Sequence, residues 1–339
     1  MRLTVRFAVS FFALLLLASL AVRFAFQGPY PDAPGPHLTP RIAREYLQEI
    51  KSRRPQILLL GDSMLTKDVD ADLFQAQVGL ATYKLDVPGS ASALWYLLLE
   101  HNILPADEPP QTVVILFRDG LLTAPSFRAD GPYFGMLDKY SSPDDTLFLQ
   151  LAYVQRMSLP ERALDMFLPP YSYRVELFDA LGAVLRHVPP SLLGCDTPCA
   201  DAAFDSVLRS DIPPEVLSSM ILDAEQELYS PRALDFDKQV AHSFLPEIIR
   251  AAQERDIRLI FVRAPTNLFP NPAAEPKGLE TYIQDLQTYL DERGIPLLDL
   301  AHAPPIRPEH FADPHHMTPE GKSIFTQVLA EALQSLLEE

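Results

Sequence analysis

The chain has 339 residues, enough for one large α/β domain with an insertion, and its 47% hydrophobic and 22% charged residues exclude a largely disordered protein. A formal net charge of -17 argues against nucleic acid as a partner, because neutralising phosphates needs clustered Lys and Arg. The same charge is a poor match for an anionic membrane surface.

The first 26 residues stand apart. Arg2 and Arg6 precede an apolar run from Phe7 to Val22, and Arg23 with Phe24 to Phe26 follows. A positive start followed by an apolar run is an export signal. Residues 1–26 are either a cleaved signal peptide or an uncleaved anchor; Ser19-Leu20-Ala21 is a possible but poor cleavage site, which favours an anchor whose two ends Arg6 and Arg23 can snorkel. No cysteine follows directly, which argues against a lipoprotein. The positive end stays in the cytoplasm, so the expectation is a single-pass inner-membrane protein with its domain in the periplasm or extracytoplasmic space. Residues 27–40 carry Pro29, Pro31, Pro34, Pro36 and Pro40 and form a stiff linker.

Residues 41–339 read as one domain. A helix is predicted over about 41–51, then a strand over Gln56–Leu60 whose four consecutive aliphatics fit burial on both faces. It ends at Gly61-Asp62-Ser63-Met64, and a helix follows from about Asp70. A second strand, Ala81–Val87, ends at Pro88-Gly89-Ser90, and a helix follows over about 93–102. A third, Thr112–Phe117, ends at Arg118-Asp119-Gly120. Between about 121 and 234 no apolar strand is evident, and this stretch reads as a largely helical insertion. It holds Cys195 and Cys199; in an exported protein this close pair reads as a small-loop disulfide.

The alternation resumes with a helix over about 237–255 and a fourth strand, Arg258–Arg263, ending at Ala264-Pro265-Thr266-Asn267. A helix over 279–293 and a fifth strand, Pro296–Leu300, come next. The chain then runs Asp313-Pro314-His315-His316-Met317 into a last helix over about 319–337, with Thr318 as its N-cap. The expected class is α/β, a three-layer α/β/α arrangement on a mostly parallel five-stranded sheet of flavodoxin-like type.

Serine catalysis needs a serine exposed on a tight turn, a histidine base and a carboxylate to orient it. Ser63 follows the first core strand, where open α/β sheets bind ligands. Asp313 and His316 lie three residues apart before the last helix, a spacing that lets both side chains come from one turn. Together these residues form a candidate catalytic triad. His310, Asp313, His315 and His316 do not call for a metal, since a triad histidine explains them without a missing ligand. Arg263 at the end of the fourth strand reads either as a binder of an acidic substrate group or, the favoured reading, as the ion-pair partner of a neighbouring carboxylate.

Gly61-Asp62-Ser63-Met64 and the Asp313 to Gly321 run resemble the first and last blocks of the SGNH (GDSL-like) hydrolases, over about residues 55–120 and 236–337. The resemblance implies Ser63 as nucleophile, His316 as base and Asp313 as its partner. It also implies an oxyanion hole from the backbone N–H groups of Ser63 and Gly89. Some related acyltransferases use an Asp-x-His pair, which would select His315; the Met-Thr-Pro-Glu-Gly run favours His316. The family's asparagine after the third strand is missing. Arg118 stands there, either as a substitute oxyanion donor or as a structural partner of Asp119, and Asn267 is a further candidate donor. The layout is similar to membrane-anchored SGNH-like proteins of bacterial polysaccharide O-acylation. It implies an acyl-ester hydrolase or O-acetyltransferase with no cofactor, an acyl-ester or polysaccharide substrate and a membrane-bound O-acyltransferase as partner. The alternative is a catalytically inactive SGNH-like scaffold for that enzyme.

Overall fold

The structure is a computed structural model that describes residues 2–27, 30, 35, 42–124, 134–174, 176–178, 180–184, 196, 198–199 and 226–337. The five linker prolines and Cys195 lie outside the described residues. Cys199 is disulfide-bonded. The chain divides into two compact units: residues 1–37 with 153–221, and residues 38–152 with 222–339.

The larger unit is built on five parallel strands: β1 (Ile57–Gly61), β2 (Thr82–Asp86), β3 (Thr112–Phe117), β4 (Arg258–Arg263) and β5 (Leu297–Asp299). Their order is β2-β1-β3-β4-β5, with every pairing parallel. This is the flavodoxin-like order of a doubly wound sheet, whose strand order reverses between β1 and β3. The three-layer α/β expectation therefore holds.

Side chains alternate across the sheet. Ile57, Leu59, Val114, Leu116, Ile260 and Val262 share one core cluster with Phe74, Phe325, Leu329 and Leu333. The helices on that face are α3 (Ser63–Asp68), α4 (Ala71–Val78) and the last helix, Pro319–Leu337. By alternation Leu58, Leu60, Val113, Ile115 and Phe261 face the other way, and all are fully buried. Both β1 and β3 are buried at every position, as continuous aliphatic runs require in a sheet covered on both sides.

On the second face, α2 (Glu45–Arg53) packs on the π-helical turn Leu99–Ile103 that extends α5 (Ser92–Leu98). Buried Asn102 ties them, its Oδ1 accepting from Leu47 N–H at 3.2 Å and its Nδ2 donating to the Ala43 carbonyl at 3.2 Å. The chain continues through α6 (Phe134–Tyr140) and α7 (Thr146–Ala152). The single helix expected over 237–255 is two helices, α10 (Phe236–Val240) and α11 (Leu245–Gln253). Pro246 explains the break: it has no N–H to give and its ring collides with the preceding turn, so it is tolerated only in the first turn of a new helix. The unit closes with α12 (Leu279–Asp291) and α13 (Pro319–Leu337).

The smaller unit holds α1 (Arg2–Ala25), α8 (Leu159–Phe167) and α9 (Pro169–Ser172). The span Thr4–Ala25 is long and apolar enough to cross a membrane, by length and composition.

Candidate active site

The serine turn is built by three local devices. β1 ends at Gly61, where a side chain would lie 3.0 Å from Leu65 Cβ and 3.3 Å from the Leu116 carbonyl, so glycine lets α3 fold back tightly on the strand. Asp62 then caps α3, its carboxylate accepting from Met64 N–H at 2.9 Å. Ser63 is the first residue of that helix, so its own N–H has no intrahelical acceptor. Its side chain is partly exposed at the carboxyl edge of the sheet.

The histidine comes from a loop held at several points. Phe311 and Met317 form an antiparallel bridge, and Ala312 N–H donates to the His316 carbonyl at 2.8 Å. Asn267 N–H donates to the Pro314 carbonyl at 2.9 Å, so the turn after β4 supports the loop. Thr318 caps α13 as expected, accepting from Gly321 N–H at 3.2 Å, and its own N–H and hydroxyl both reach the His310 carbonyl. Gly321 has no room for a side chain: a Cβ would sit 2.2 Å from that carbonyl oxygen.

These supports bring the expected residues together. His316 Nε2 lies 2.9 Å from Ser63 Oγ, and His316 Nδ1 lies 2.8 Å from Asp313 Oδ2. Asp313 Oδ1 accepts from the N–H groups of His315 and His316 at 2.8 and 2.9 Å. Burial pushes the Asp313 carboxyl up, but those two N–H bonds and the His316 ring outweigh it and hold it below its ordinary value. A carboxylate kept ionised against Nδ1–H leaves Nε2 as the acceptor for the Ser63 proton, the tautomer that a general base needs. The loop thus presents His316 to the serine, while His315 contributes its backbone to orient Asp313.

Gly89 is buried in a turn with Pro88 before it. Its φ of 81° and the Ser90 N–H to Val87 carbonyl bond of 3.0 Å make this a type II turn, which needs glycine at the third position. Ser90 Oγ donates to the Gly61 carbonyl at 3.2 Å and accepts from Trp95 Nε1 at 2.9 Å. The Gly89 turn is thereby fastened to the strand end two residues before Ser63.

Arg118 lies at the end of β3 and is buried, with Nη1 3.4 Å from Tyr229 Oη and 3.9 Å from Asp119 Oδ2. Asp119 is itself buried with φ 48°, a left-handed conformation that aspartate tolerates better than most residues. It accepts from Tyr229 Oη at 2.7 Å and from Arg263 Nη2 at 3.3 Å. Arg263 also reaches Glu275 at 2.5 Å and Asp299 at 3.2 Å, and His302 joins Glu275 at 2.8 Å. Arg263 is thus the ion-pair residue expected, joining the ends of β3, β4 and β5. Beside it a cleft of about 250 Å³ is lined by Thr266, Asn267, His302, Arg307 and Phe311 among others.

One supporting residue carries no sequence signal. Asp68, at the end of α3, is buried and accepts from Met317 N–H at 2.8 Å, linking the serine helix to the histidine loop. Burial, with Asp62 and Asp313 nearby, pushes its carboxyl up from 3.8 to about 8 against the Met317 bond and Lys322. Its partner lies 249 residues away, so only the return of the chain supplies it.

A protein-family model matches residues 223–338, the part that carries Asp313 and His316. No curated protein matches the chain. Among solved structures, the chain is similar to a protein described as an acylhydrolase from Bacteroides fragilis, at 12% identity over 86% of this chain and 96% of that one, with a TM-score of 0.41. It is similar to a GDSL-like lipase from Bacteroides thetaiotaomicron, at 10% identity over 86% and 98%, with a TM-score of 0.38. A protein described as an arylesterase from Agrobacterium tumefaciens aligns at 11% identity over 82% and 98%, with a TM-score of 0.34.

Proposed function

We propose that this protein is a serine-dependent acyl-ester hydrolase or O-acetyltransferase of SGNH type, held by α1 and working outside the cytoplasmic membrane on glycan or other small esters. The observation that carries the reading is the unbroken line from Ser63 Oγ through His316 to Asp313, at 2.9 and 2.8 Å. Ser63 Oγ attacks the acyl carbonyl carbon while His316 Nε2 takes the hydroxyl proton. The oxyanion is received by the N–H groups of Ser63 and Gly89, with Arg118 as a further donor. The ester C–O bond then breaks, His316 returns the proton to the leaving alkoxide, and an acyl-serine remains. Water or a sugar hydroxyl gives its proton to His316 and attacks the acyl carbon, the acyl C–Oγ bond breaks, and His316 returns the proton to Ser63 Oγ, releasing the free acid or the acylated sugar. A membrane-bound O-acyltransferase is the partner that would supply the acyl group.

The test is labelling of the full-length, detergent-solubilised protein by a fluorophosphonate. Wild type is expected to label and Ser63→Ala is not, with circular dichroism unchanged. Labelling that persists in Ser63→Ala removes Ser63 as nucleophile. Incubating an acetyl ester with and without an oligosaccharide separates transfer from hydrolysis: acetyl recovered on the sugar indicates transfer, and free acetate alone indicates an esterase.

A second reading rests on the engagement of Arg118 with Tyr229 and Asp119 where the family has an asparagine. On it, the domain is a catalytically silent scaffold for a membrane-bound O-acyltransferase. Folded wild-type protein that takes no label decides for this reading.

A further inference from the structure

Helix α8 leaves its apolar arc uncovered. On a helical wheel Leu159, Ala163, Leu164, Met166 and Phe167 form one apolar arc, and Glu161, Arg162 and Asp165 form the opposite one. A water-facing helix hides the first arc and shows the second. Here the apolar arc is exposed as well, with Leu159 80%, Met166 55% and Phe167 76% exposed; of the polar arc Glu161 and Arg162 are exposed and only Asp165, at 8%, is buried. Asp165 is held inward by Arg174, 3.4 Å from its carboxylate, and the Arg174 guanidinium lies over the Tyr171 ring. The helix is securely started by a capping box between Ser158 and Glu161, so its orientation is built rather than frayed.

The location of this face points to what covers it. α8 packs on α9, and α9 packs on the end of α1. Where α1 ends, Arg23 donates to Tyr173 Oη at 3.3 Å and lies over the Tyr30 ring, while Phe26 and Tyr30 stack on Tyr173. Tyr30 Oη donates to the Met166 carbonyl at 2.9 Å, which sets the C-terminal end of α8 beside that cluster. Aromatic and arginine side chains at the end of an apolar span mark the level of lipid headgroups. Phe24 on the last turn of α1 is 81% exposed and Phe178 73% exposed, further apolar side chains of this unit left uncovered.

We propose that α8 lies in the membrane interface as a foot beside the anchor, with Leu159, Met166 and Phe167 in the acyl boundary and Asp165 turned to the protein. This rests on α1 spanning the membrane. The contact is apolar and independent of lipid charge, as suits a chain of net charge -17.

The experiment reconstitutes the full-length protein in phosphatidylcholine vesicles, with the native cysteine pair left oxidised. An environment-sensitive fluorophore is attached to one added cysteine, at Phe167→Cys, Leu159→Cys, Glu161→Cys or Leu14→Cys, each checked by circular dichroism. Doxyl-labelled lipid reports contact with acyl chains. The expected result is a loss of at least about twofold in emission at positions 167, 159 and 14, with a much smaller loss at 161. Quenching at 14 without quenching at 167 and 159 overturns the foot and leaves the anchor standing. A blue-shifted but unquenched probe at 167 overturns it in favour of a protein contact such as a second copy. No quenching at 14 removes the anchor reading, and the foot falls with it.

Discussion

At the scale of single residues, the site depends on one carboxylate kept ionised and another kept neutral. Asp313 has its value lowered, so the stability it contributes is present above the unfolded carboxylate range and lost only as pH falls through the folded value. It therefore stays ionised behind His316 throughout neutral conditions. Asp313→Asn keeps the shape but favours the wrong imidazole tautomer, and kcat/KM for an acetyl ester is expected to fall on the order of 10^4-fold with little change in Tm. A variant within tenfold of wild type would remove Asp313 from the relay. Asp68 has the opposite sense. Its folded value of about 8 lies above the unfolded 3.8, so ionisation favours the unfolded chain and stability declines as pH rises between those values. Asp68→Asn is expected to flatten that decline, with its urea midpoint gaining on wild type from pH 5 to pH 8. Parallel midpoint curves for the two proteins would refute the neutral carboxyl.

At the scale of elements, two strand-to-helix junctions and one loop carry the geometry. The end of β1 was legible because four aliphatics and a glycine are local signals, but α3 was not: a helix is expected only from about Asp70, and Ser63–Asp68 is helical under the Asp62 cap. The start of α13 was legible, where Thr318 and Pro319 mark the cap. The need for glycine at 321 was not legible. Helix propensity alone favours alanine there by about 1 kcal/mol. The His310 carbonyl oxygen, 2.2 Å from the added methyl, reverses the sign. Gly321→Ala is expected to destabilise the protein by about 1–3 kcal/mol and to slow turnover by displacing His316, as read by denaturant titration and kcat. A raised Tm would show that the loop relaxes freely. The break between α10 and α11 is written in Pro246, although the apolar period on either side of it is that of one continuous helix.

At the scale of the molecule, α1 is long and apolar enough to cross a membrane. The full-length protein is expected to sediment with membranes and to resist carbonate extraction, while a chain lacking residues 2–25 is expected in the soluble fraction; extraction of the full-length protein by carbonate would exclude a span. By itself the sequence determined the sheet and its class, because buried parallel strands must be aliphatic runs and helices between them must carry an apolar stripe. It also determined three candidates for one triad, since serine chemistry restricts which residues can stand after a first strand and before a last helix. Only the tertiary structure decided that Asp68 braces the loop and that Arg118 sits against Tyr229, and it places His316, which the sequence favours over His315, against Ser63. Each of those outcomes depends on the direction of a side chain and on a partner 111 to 253 residues away. Neither quantity is encoded in local periodicity; both follow from how the packed layers bring distant segments together.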